Sequence, residues 1–278
     1  MICAWEALID LLPLWMREYV DKQGREDLLE LRLRVNKSPM LILKDSVASM
    51  NRSVSKEDLN YCINVVTKYS PWSTQTGIKG YYAAPGGHRI GICGTVSLSE
   101  GQPLIMQNIT SICIRVSRDF PGITGKIADI KGSMLIIGAP GCGKTTFLRD
   151  YIRHISNNRC VSVIDERQEI FPQYNGVYCF DTGVNTDIIY GCDKEYGINL
   201  ALRNLGPQVI AVDEITAVQD CSALLRAGWC GVNLVATAHA GSKKDLFNRS
   251  VYRPILDSDL FENLVIMRPD KSWYFERI

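Results

Sequence analysis

One octapeptide constrains this chain more than any other feature of its sequence. Gly138-Ala139-Pro140-Gly141-Cys142-Gly143-Lys144-Thr145 matches the pattern G-x-x-x-x-G-K-[ST] at every fixed position. The apolar run Met134-Leu135-Ile136-Ile137 precedes it and predicts a buried strand, and Thr146-Phe147-Leu148-Arg149 follows as the continuation of a helix. A glycine-rich loop between a strand and a helix indicates a phosphate-binding loop rather than a chance sequence.

The chemistry of this phosphate loop (residues 138–145) follows from its residue types. Glycines let successive backbone N–H groups point at the β- and γ-phosphates, next to the positive end of a helix dipole. We expect Lys144 to reach the β- and γ-phosphate oxygens, Thr145 to ligate Mg²⁺ and Thr146 to contact the α-phosphate. Cys142 is interpreted as a small filler rather than as a redox switch. The predicted ATP-binding residues are Gly138, Ala139, Pro140, Gly141, Cys142, Gly143, Lys144, Thr145 and Thr146.

Two further apolar runs end in a pair of acids. The run that starts at Pro207 ends in Asp213 and Glu214, and we expect Asp213 to hold Mg²⁺ and Glu214 to polarise the attacking water. The run before Asp165 and Glu166 is expected to lie near the phosphate loop, with its acids facing the metal. Acids that simply end a strand are the alternative in both places.

His239 closes another apolar run, two residues after Thr237. A single histidine at a strand end is commonly a structural group. Because the same sheet edge is predicted to carry Glu214, a sensor of the γ-phosphate is the other interpretation, and the sequence leaves both open.

Composition narrows the class of protein. A net charge of +1 over 278 residues gives no indication of a polyanion partner, so nucleic acid is not expected. Ten cysteines without a CxxC pair and three histidines indicate reduced thiols and no zinc site. The amino terminus has the pattern of an amphipathic helix without the basic start of a signal peptide, and no stretch approaches the roughly 20 apolar residues of a membrane helix. We therefore expect a cytoplasmic protein that acts at a membrane only peripherally.

The pattern along the chain changes near residue 120. Before it, alternating segments predict a small α+β domain with a mainly antiparallel sheet. After it, short apolar runs alternate with helical segments, which predicts a parallel sheet covered on both faces. The predicted fold is α/β: a RecA-like P-loop ATPase domain at 123–278 with a mainly parallel sheet, preceded by a smaller α+β domain at 1–122.

The order of these motifs resembles the secretion-superfamily ATPases, the traffic motors of type II and type IV systems. Their catalytic domain carries a Walker A loop, an acidic box, a leucine-arginine pair before a Walker B strand, and a histidine box. The matching segments here are Gly138–Thr145, Asp165-Glu166, Leu202-Arg203 with Pro207–Glu214, and Gly231–His239. More closely, the chain is similar to the stage III sporulation AA family, mother-cell ATPases of endospore-forming bacteria. That similarity rests on Leu31-Arg32-Leu33-Arg34, Gly86-Gly87-His88-Arg89-Ile90-Gly91, Val163-Ile164-Asp165-Glu166-Arg167 and Ala236-Thr237-Ala238-His239.

The resemblance implies roles for particular residues. Beside Lys144, Glu214 would be the water-activating base, Glu166 an acidic-box residue near the metal, and His239 the residue that couples nucleotide state to conformation. It also implies a homo-hexameric ring that acts on integral membrane proteins of a secretion-like complex. Arginines that complete the site are sought among Arg89, Arg115, Arg167 and Arg203. The chain departs from the traffic motors at Asp213, where those proteins usually have glycine, and in lacking a four-cysteine zinc module.

Two other functions remain open at this point. A RecA-like ATPase that handles nucleic acid would carry a basic groove with interleaved aromatic residues. An ATP-gated structural ring would bind nucleotide with little turnover, and the presence of Glu214 argues against it.

Overall fold

A computed structural model of the chain describes residues 1–68, 80–99, 102–125, 127 and 130–278. Two compact units can be distinguished. Met1–Asp119 and Pro172–Phe180 form the first unit, and Phe120–Phe171 and Asp181–Ile278 form the second. The domain boundary placed between residues 122 and 123 stays a prediction.

The first unit is built on an antiparallel sheet, as expected from the alternating segments. Its strand order is β3-β2-β1-β6-β5-β4. The strands are β1 (Leu28–Arg34), β2 (Met40–Leu43), β3 (Val47–Ser49), β4 (Tyr81–Ala83), β5 (Arg89–Ser99) and β6 (Gln102–Arg115).

Helices of the first unit cover this sheet with apolar side chains. They are α1 (Trp5–Asp10), α2 (Leu14–Gln23) and α3 (Lys56–Thr67). The single amphipathic helix predicted at the amino terminus is wrong, because Pro13 lacks the N–H that a continuous helix needs and separates α1 from α2. Ser55 and Asp58 form the amino-terminal capping box of α3: Ser55 Oγ accepts from the N–H of Asp58 at 3.1 Å, and Asp58 Oδ2 accepts from the N–H of Ser55 at 2.8 Å.

The segment Gly86-Gly87-His88 is structural within this unit. His88 is buried, its Nδ1 accepts the N–H of Ser117 at 3.0 Å, and its Nε2 lies 2.9 Å from the carbonyl oxygen of Ala4. The imidazole is therefore neutral, with its proton on Nε2. Gly86 has φ of +71°, and a Cβ at this position would lie 2.2 Å from Ala4 Cβ, so only glycine fits there.

A short segment that follows the acidic box, Pro172–Phe180, also belongs to the first unit. The chain leaves the second unit after Phe171 and forms a hairpin of two short strands before it returns at Asp181. These strands are β9 (Gln173–Tyr174) and β10 (Val177–Tyr178).

The second unit contains the mainly parallel sheet that the sequence predicts. Its strand order is β11-β8-β12-β13-β7-β14-β15, and only the pair β14–β15 is antiparallel. The strands are β7 (Met134–Ile137), β8 (Val161–Asp165), β11 (Thr186–Tyr190), β12 (Val209–Ile215), β13 (Asn233–Ala238), β14 (Asn263–Met267) and β15 (Trp273–Arg277). The helices are α4 (Lys144–Ile155), α5 (Lys194–Asn204), α6 (Val218–Trp229), α7 (Lys243–Asn248) and α8 (Arg253–Leu256).

The strand order decides which residues can meet. Strand β13 lies between β7, which leads into the phosphate loop, and β12, which ends in the acids Asp213 and Glu214. Parallel strands bring their carboxyl ends to one edge of a sheet, so these three strands build a common site. Strand β8 is separated from β7 by β12 and β13, so Asp165 and Glu166 follow a strand that neighbours β12 rather than β7. Among the described helices, none has the length and apolar character to cross a bilayer.

Candidate active site

The phosphate loop depends on glycine at particular positions. Gly141 and Gly143 have φ of +77° and +100°, a backbone region that strains residues with side chains. A Cβ on Gly138 would lie 2.5 Å from Cys142 Sγ and 2.9 Å from the carbonyl oxygen of Met267. The Cys142 side chain is buried against this position, as its interpretation as a filler requires.

Lys144 points back into the loop rather than into solvent. Its Nζ donates to the carbonyl oxygens of Gly138 and Ala139, each at 3.0 Å, and lies 2.9 Å from His239 Nδ1. Burial lowers the pKa of Lys144, while nearby negative groups, including the carboxylates of Asp213 and Glu214, act in the opposite direction. The two carbonyl oxygens and His239 Nδ1 provide one acceptor for each of the three N–H groups of the ammonium.

Asp213 is held on both of its oxygens. Oδ2 accepts from the hydroxyl of Thr145 at 2.8 Å, and Oδ1 accepts from the hydroxyl of Thr237 at 2.5 Å. The carboxylate thus joins the first turn of α4 to strand β13. Its oxygens and the Thr145 hydroxyl are the hard donors that Mg²⁺ prefers.

Glu214 reaches the same edge because β12 is irregular there. Consecutive strand residues normally point to opposite faces of a sheet. The pairing of β12 with β13 shifts register between Val212 and Ile215, and Glu214 has φ of +46°. Its N–H donates to Thr237 Oγ1 at 2.8 Å, which holds this unusual backbone.

His239 connects the two charged groups of the site. Its Nε2 lies 2.8 Å from Glu214 Oε1, and its Nδ1 faces Lys144 Nζ. Since an ammonium can only donate, Nδ1 is the acceptor and Nε2 carries the proton that is donated to Glu214. The backbone N–H of His239 also donates to the hydroxyl of Tyr252 at 3.2 Å. A structural histidine and a functional one are both compatible with these contacts, and the position between Lys144 and Glu214 favours function.

The carboxylate of Asp165 is held by the turn that follows β8. It is buried, and its two oxygens accept the N–H groups of Glu169, Ile170 and Phe171 at 2.8, 3.1 and 2.8 Å. Burial raises the pKa of Asp165 to about 6, against the lowering effect of these hydrogen bonds. Asp165 therefore shapes the turn that follows β8.

Glu166 does reach the neighbourhood of Asp213. A small cavity is lined by Asp165, Glu166, Arg167, Glu169, Lys194, Asp213 and Glu214. Glu166 Oε2 lies 2.8 Å from Lys194 Nζ, and the same ammonium lies 3.7 Å from Asp220 Oδ2. Lys194 is a site residue that the sequence did not reveal, because no motif surrounds it and only the fold brings it to the acids.

The candidate arginines lie in different places. Arg167 Nη1 is 3.3 Å from Glu214 Oε2. Arg203 is in the last turn of α5, and the rise of a helix places it about 14 Å along the axis from Lys194, at the other end. Arg89 and Arg115 are in β5 and β6 of the first unit, where the Arg89 guanidinium covers the ring of Tyr81 at 3.7 Å.

This geometry can be compared with known proteins. A family model described as sporulation stage III, protein AA matches residues 6–273. The chain belongs to this family. The chain is also similar to the stage III sporulation protein AA of Bacillus subtilis (strain 168), with 29% identity over 270 residues, or 92% of this chain and 88% of that protein. The resemblance drawn from the motifs is thereby confirmed.

Solved structures of two other proteins have the same fold as this chain. The ATPase DotB of Legionella pneumophila aligns over 96% of this chain and 80% of its own, with a TM-score of 0.61 at 19% identity. The pilus retraction motor PilT with bound ADP aligns over 90% of this chain and 76% of its own, with a TM-score of 0.61 at 15% identity. The predicted α/β class with a mainly parallel sheet is confirmed.

Proposed function

We propose that this chain is a Mg²⁺-dependent ATP hydrolase. One observation carries the proposal: His239 bridges Lys144 of the phosphate loop and Glu214 of the acidic strand, while Asp213 accepts a hydrogen bond from Thr145. The proposed phosphate loop, metal-binding carboxylate and base for water lie at one sheet edge, and phosphoryl transfer to water requires this set of groups.

The phosphate loop would bind the triphosphate. The backbone N–H groups between Gly138 and Thr146 donate to phosphate oxygens at the start of α4, where the helix dipole favours negative charge. Lys144 exchanges its contacts with two carbonyl oxygens and His239 for the β- and γ-phosphates. Burial of this ammonium in the loop strengthens its attraction for the incoming charge.

Thr145 and Asp213 would hold Mg²⁺. A magnesium ion held there would neutralise part of the negative charge of the triphosphate. The 2.8 Å hydrogen bond between the two side chains places these oxygens next to each other, which supports the proposal. Thr237 fixes the second oxygen of Asp213 and so limits the orientations that the carboxylate can take.

Glu214 orients and polarises the attacking water. Its carboxylate is held by His239 Nε2–H on one oxygen and by Arg167 on the other. When Lys144 turns to the phosphates, His239 Nδ1 loses its donor. The imidazole then becomes free to move with Glu214, which couples the presence of nucleotide to the position of the base.

We further propose that the hydrolase is a ring-forming motor, a homo-hexamer that works from the cytoplasmic side on integral membrane proteins of a sporulation complex. Membership of the sporulation stage III, protein AA family supports this role, and the fold shared with DotB and PilT supports a motor. Glu166 would act from the edge of the site, through its contact with Lys194.

Two substitutions test the hydrolase. Glu214→Gln keeps the size of the side chain and removes its basicity, so we expect ATP turnover to fall at least 100-fold while ATP binding measured by calorimetry is retained. Lys144→Ala is expected to abolish binding. Glu26→Gln, an exposed acid of the first unit, is the matched control and should behave as the wild type. Wild-type turnover in Glu214→Gln would overturn the assignment of the base.

The ring is tested separately. Light-scattering mass with and without Mg-ATP should show a hexamer whose formation accompanies turnover. A monomer that hydrolyses ATP at full rate under all conditions would remove the ring from the proposal and leave the hydrolase.

A further inference from the structure

The contact between Glu214 and His239 lies where the pairing of β12 with β13 is no longer regular. The register shifts between Val212 and Ile215, and Glu214 lies within this stretch. His239 follows the last residue of β13. The regular ladder of backbone hydrogen bonds therefore does not by itself fix the 2.8 Å distance between His239 Nε2 and Glu214 Oε1. A group that contacts the backbone of both strand ends can fix it.

The hydroxyl of Tyr252 contacts both strand ends. It accepts the N–H of His239 at 3.2 Å and lies 3.4 Å from the carbonyl oxygen of the same residue. It also lies 3.4 Å from the carbonyl oxygen of Ile215, the residue after Glu214. A phenol can accept one hydrogen bond while it donates its own proton to another acceptor. One side-chain oxygen thus lies against the backbone of β12 and of β13, next to the two residues whose side chains meet.

Tyr252 is itself held in place by its surroundings. It is 3% exposed and belongs to the apolar core of the second unit. Its N–H donates to the carbonyl oxygen of Arg249 at 3.1 Å, and the thiol of Cys221 in α6 donates to the carbonyl oxygen of Val251 at 3.2 Å. Burial is the largest cause of the raised pKa of Tyr252, so the phenol keeps its proton at neutral pH.

The chain between His239 and Tyr252 forms a closed loop. Asp245 Oδ2 accepts the N–H of Gly241 at 2.8 Å, and Ser242 Oγ accepts the N–H of Asp245 at 3.1 Å, which starts α7. The loop ends in a turn of 3₁₀-helix over Ser250–Tyr252. Because the Tyr252 hydroxyl returns to the residue from which the loop starts, it fixes the point at which the backbone of His239 leaves the sheet.

We propose that Tyr252 is a positioning residue for ATP hydrolysis, an inference that rests on the proposed function. Its hydroxyl holds the backbone at the ends of β12 and β13, so that the His239 side chain stays within hydrogen-bond distance of Glu214. Tyr252 acts through these two residues and not by contact with the nucleotide. The phosphate loop is carried by β7 and α4, so loss of the hydroxyl lowers turnover without weakening nucleotide binding.

Tyr252→Phe tests the assignment, because it removes the hydroxyl and keeps the ring that packs in the core. We expect kcat to fall about tenfold, while the Kd of ATP measured by calorimetry stays within about twofold of the wild type. Tyr19→Phe is the matched control. It also removes a hydroxyl that donates to a backbone carbonyl oxygen, that of Ser49 at 3.0 Å, but in the first unit, and we expect wild-type kcat.

A double-mutant cycle tests the route by which Tyr252 acts. In His239→Ala there is no imidazole to hold against Glu214, so the addition of Tyr252→Phe should lower kcat no further. If the two residues acted independently, the two losses would multiply instead. A role of Tyr252 in packing alone would not produce this dependence on His239.

Each of three results would contradict the proposal: wild-type kcat in Tyr252→Phe, an equal loss of kcat and of ATP affinity, or multiplied losses in the double variant. Failure of the proposed function gives a different pattern. If Glu214→Gln hydrolyses ATP like the wild type, the assignment of the base is wrong and this inference falls with it. If Glu214→Gln is inactive and Tyr252→Phe is unaffected, only the positioning role is wrong.

Discussion

The buried hydroxyl of Thr237 lies 2.5 Å from Asp213 Oδ1 and donates its proton to that oxygen. The same hydroxyl accepts the N–H of Glu214 at 2.8 Å. One side chain of β13 therefore orients the proposed metal-binding carboxylate and holds the backbone of the proposed base, whose φ of +46° is an unfavourable conformation for a glutamate.

Replacement of Thr237 should separate this role from simple packing. Thr237→Val keeps the shape and removes the hydroxyl, which leaves the Glu214 N–H without its acceptor at a cost of about 1–3 kcal/mol. We expect turnover to fall at least tenfold and the dependence of rate on Mg²⁺ concentration to change, while Thr237→Ser stays close to the wild type. Steady-state ATPase assays across a Mg²⁺ series make the comparison. A valine variant with unaltered kcat and Mg²⁺ dependence would show that the hydroxyl does not position the acids.

His239 links nucleotide binding to the base, so its loss should affect the two steps differently. His239→Ala removes an acceptor that competes with the phosphates for Lys144 and also removes the donor that holds Glu214. We expect ATP affinity that is equal or higher, and turnover at least tenfold lower. Calorimetry and steady-state assays measure the two quantities. His154→Ala, at an exposed position of α4, is the control, and weaker ATP binding with normal kcat in His239→Ala would contradict the bridge.

Lys194 should contribute to stability through the acids around it. Its side chain is 5% exposed at the first position of α5, where the helix dipole disfavours a cation, and its partners are Glu166 and Asp220. Lys194→Met leaves these carboxylates uncompensated. Because Glu166 is 40% exposed, we expect a loss of about 1–3 kcal/mol rather than the full cost of a buried charge. Urea unfolding measures the change. Lys22→Met breaks the exposed ion pair with Glu18 and is the control, for which we expect an unchanged urea midpoint. An equal loss of stability in both variants would argue against a special role for Lys194.

His88 should make the protein less stable in mild acid. The pKa of His88 is lowered, and burial is the largest cause. The positive charge of Arg118 also lowers this pKa, while the hydrogen bond with the backbone of Ala4 raises it. The unfolded chain, with an imidazole pKa of about 6.5, then binds more protons than the folded chain, so stability is complete above that pH and is lost as pH falls below it. The loss approaches about 1.4 kcal/mol per pH unit for one proton. Physically, protonation of Nδ1 removes the acceptor for the Ser117 N–H.

Urea midpoints of the wild type and His88→Gln at pH 7.5 and 5.5 isolate this contribution. Asp165, whose pKa burial raises to about 6, acts with the opposite sign because its folded form gains a proton first, but it is present in both proteins and cancels in the difference. We expect the stability advantage of the wild type to shrink at the lower pH. A constant difference would mean that His88 is not held in its neutral form.

The phosphate loop could be recognised without any tertiary information, and the reason is physical. Its function depends on glycine φ angles and on N–H groups within eight consecutive residues, so neighbouring side chains specify it. Helix caps such as that of Ser55 with Asp58, and the change from antiparallel to parallel strands, follow equally local rules. The break between α1 and α2 was also encoded locally, by Pro13.

The meeting of Lys144 with His239, 95 residues apart, depends on the order of the strands. Buried parallel strands have similar apolar sequences. The sequence of β13 therefore does not predict that this strand lies between β7 and β12, and the sequence of β8 does not predict that β8 lies on the far side of β12. The bulge that turns Glu214 towards His239, the burial of Lys194 among acids, and the passage of Pro172–Phe180 into the first unit likewise arise from packing between distant segments. The residue types of the site could therefore be predicted from the sequence, but the residues that each of them contacts could not. Contacts between segments that are far apart in the chain produce no periodic pattern in the sequence, so only the tertiary structure determines them.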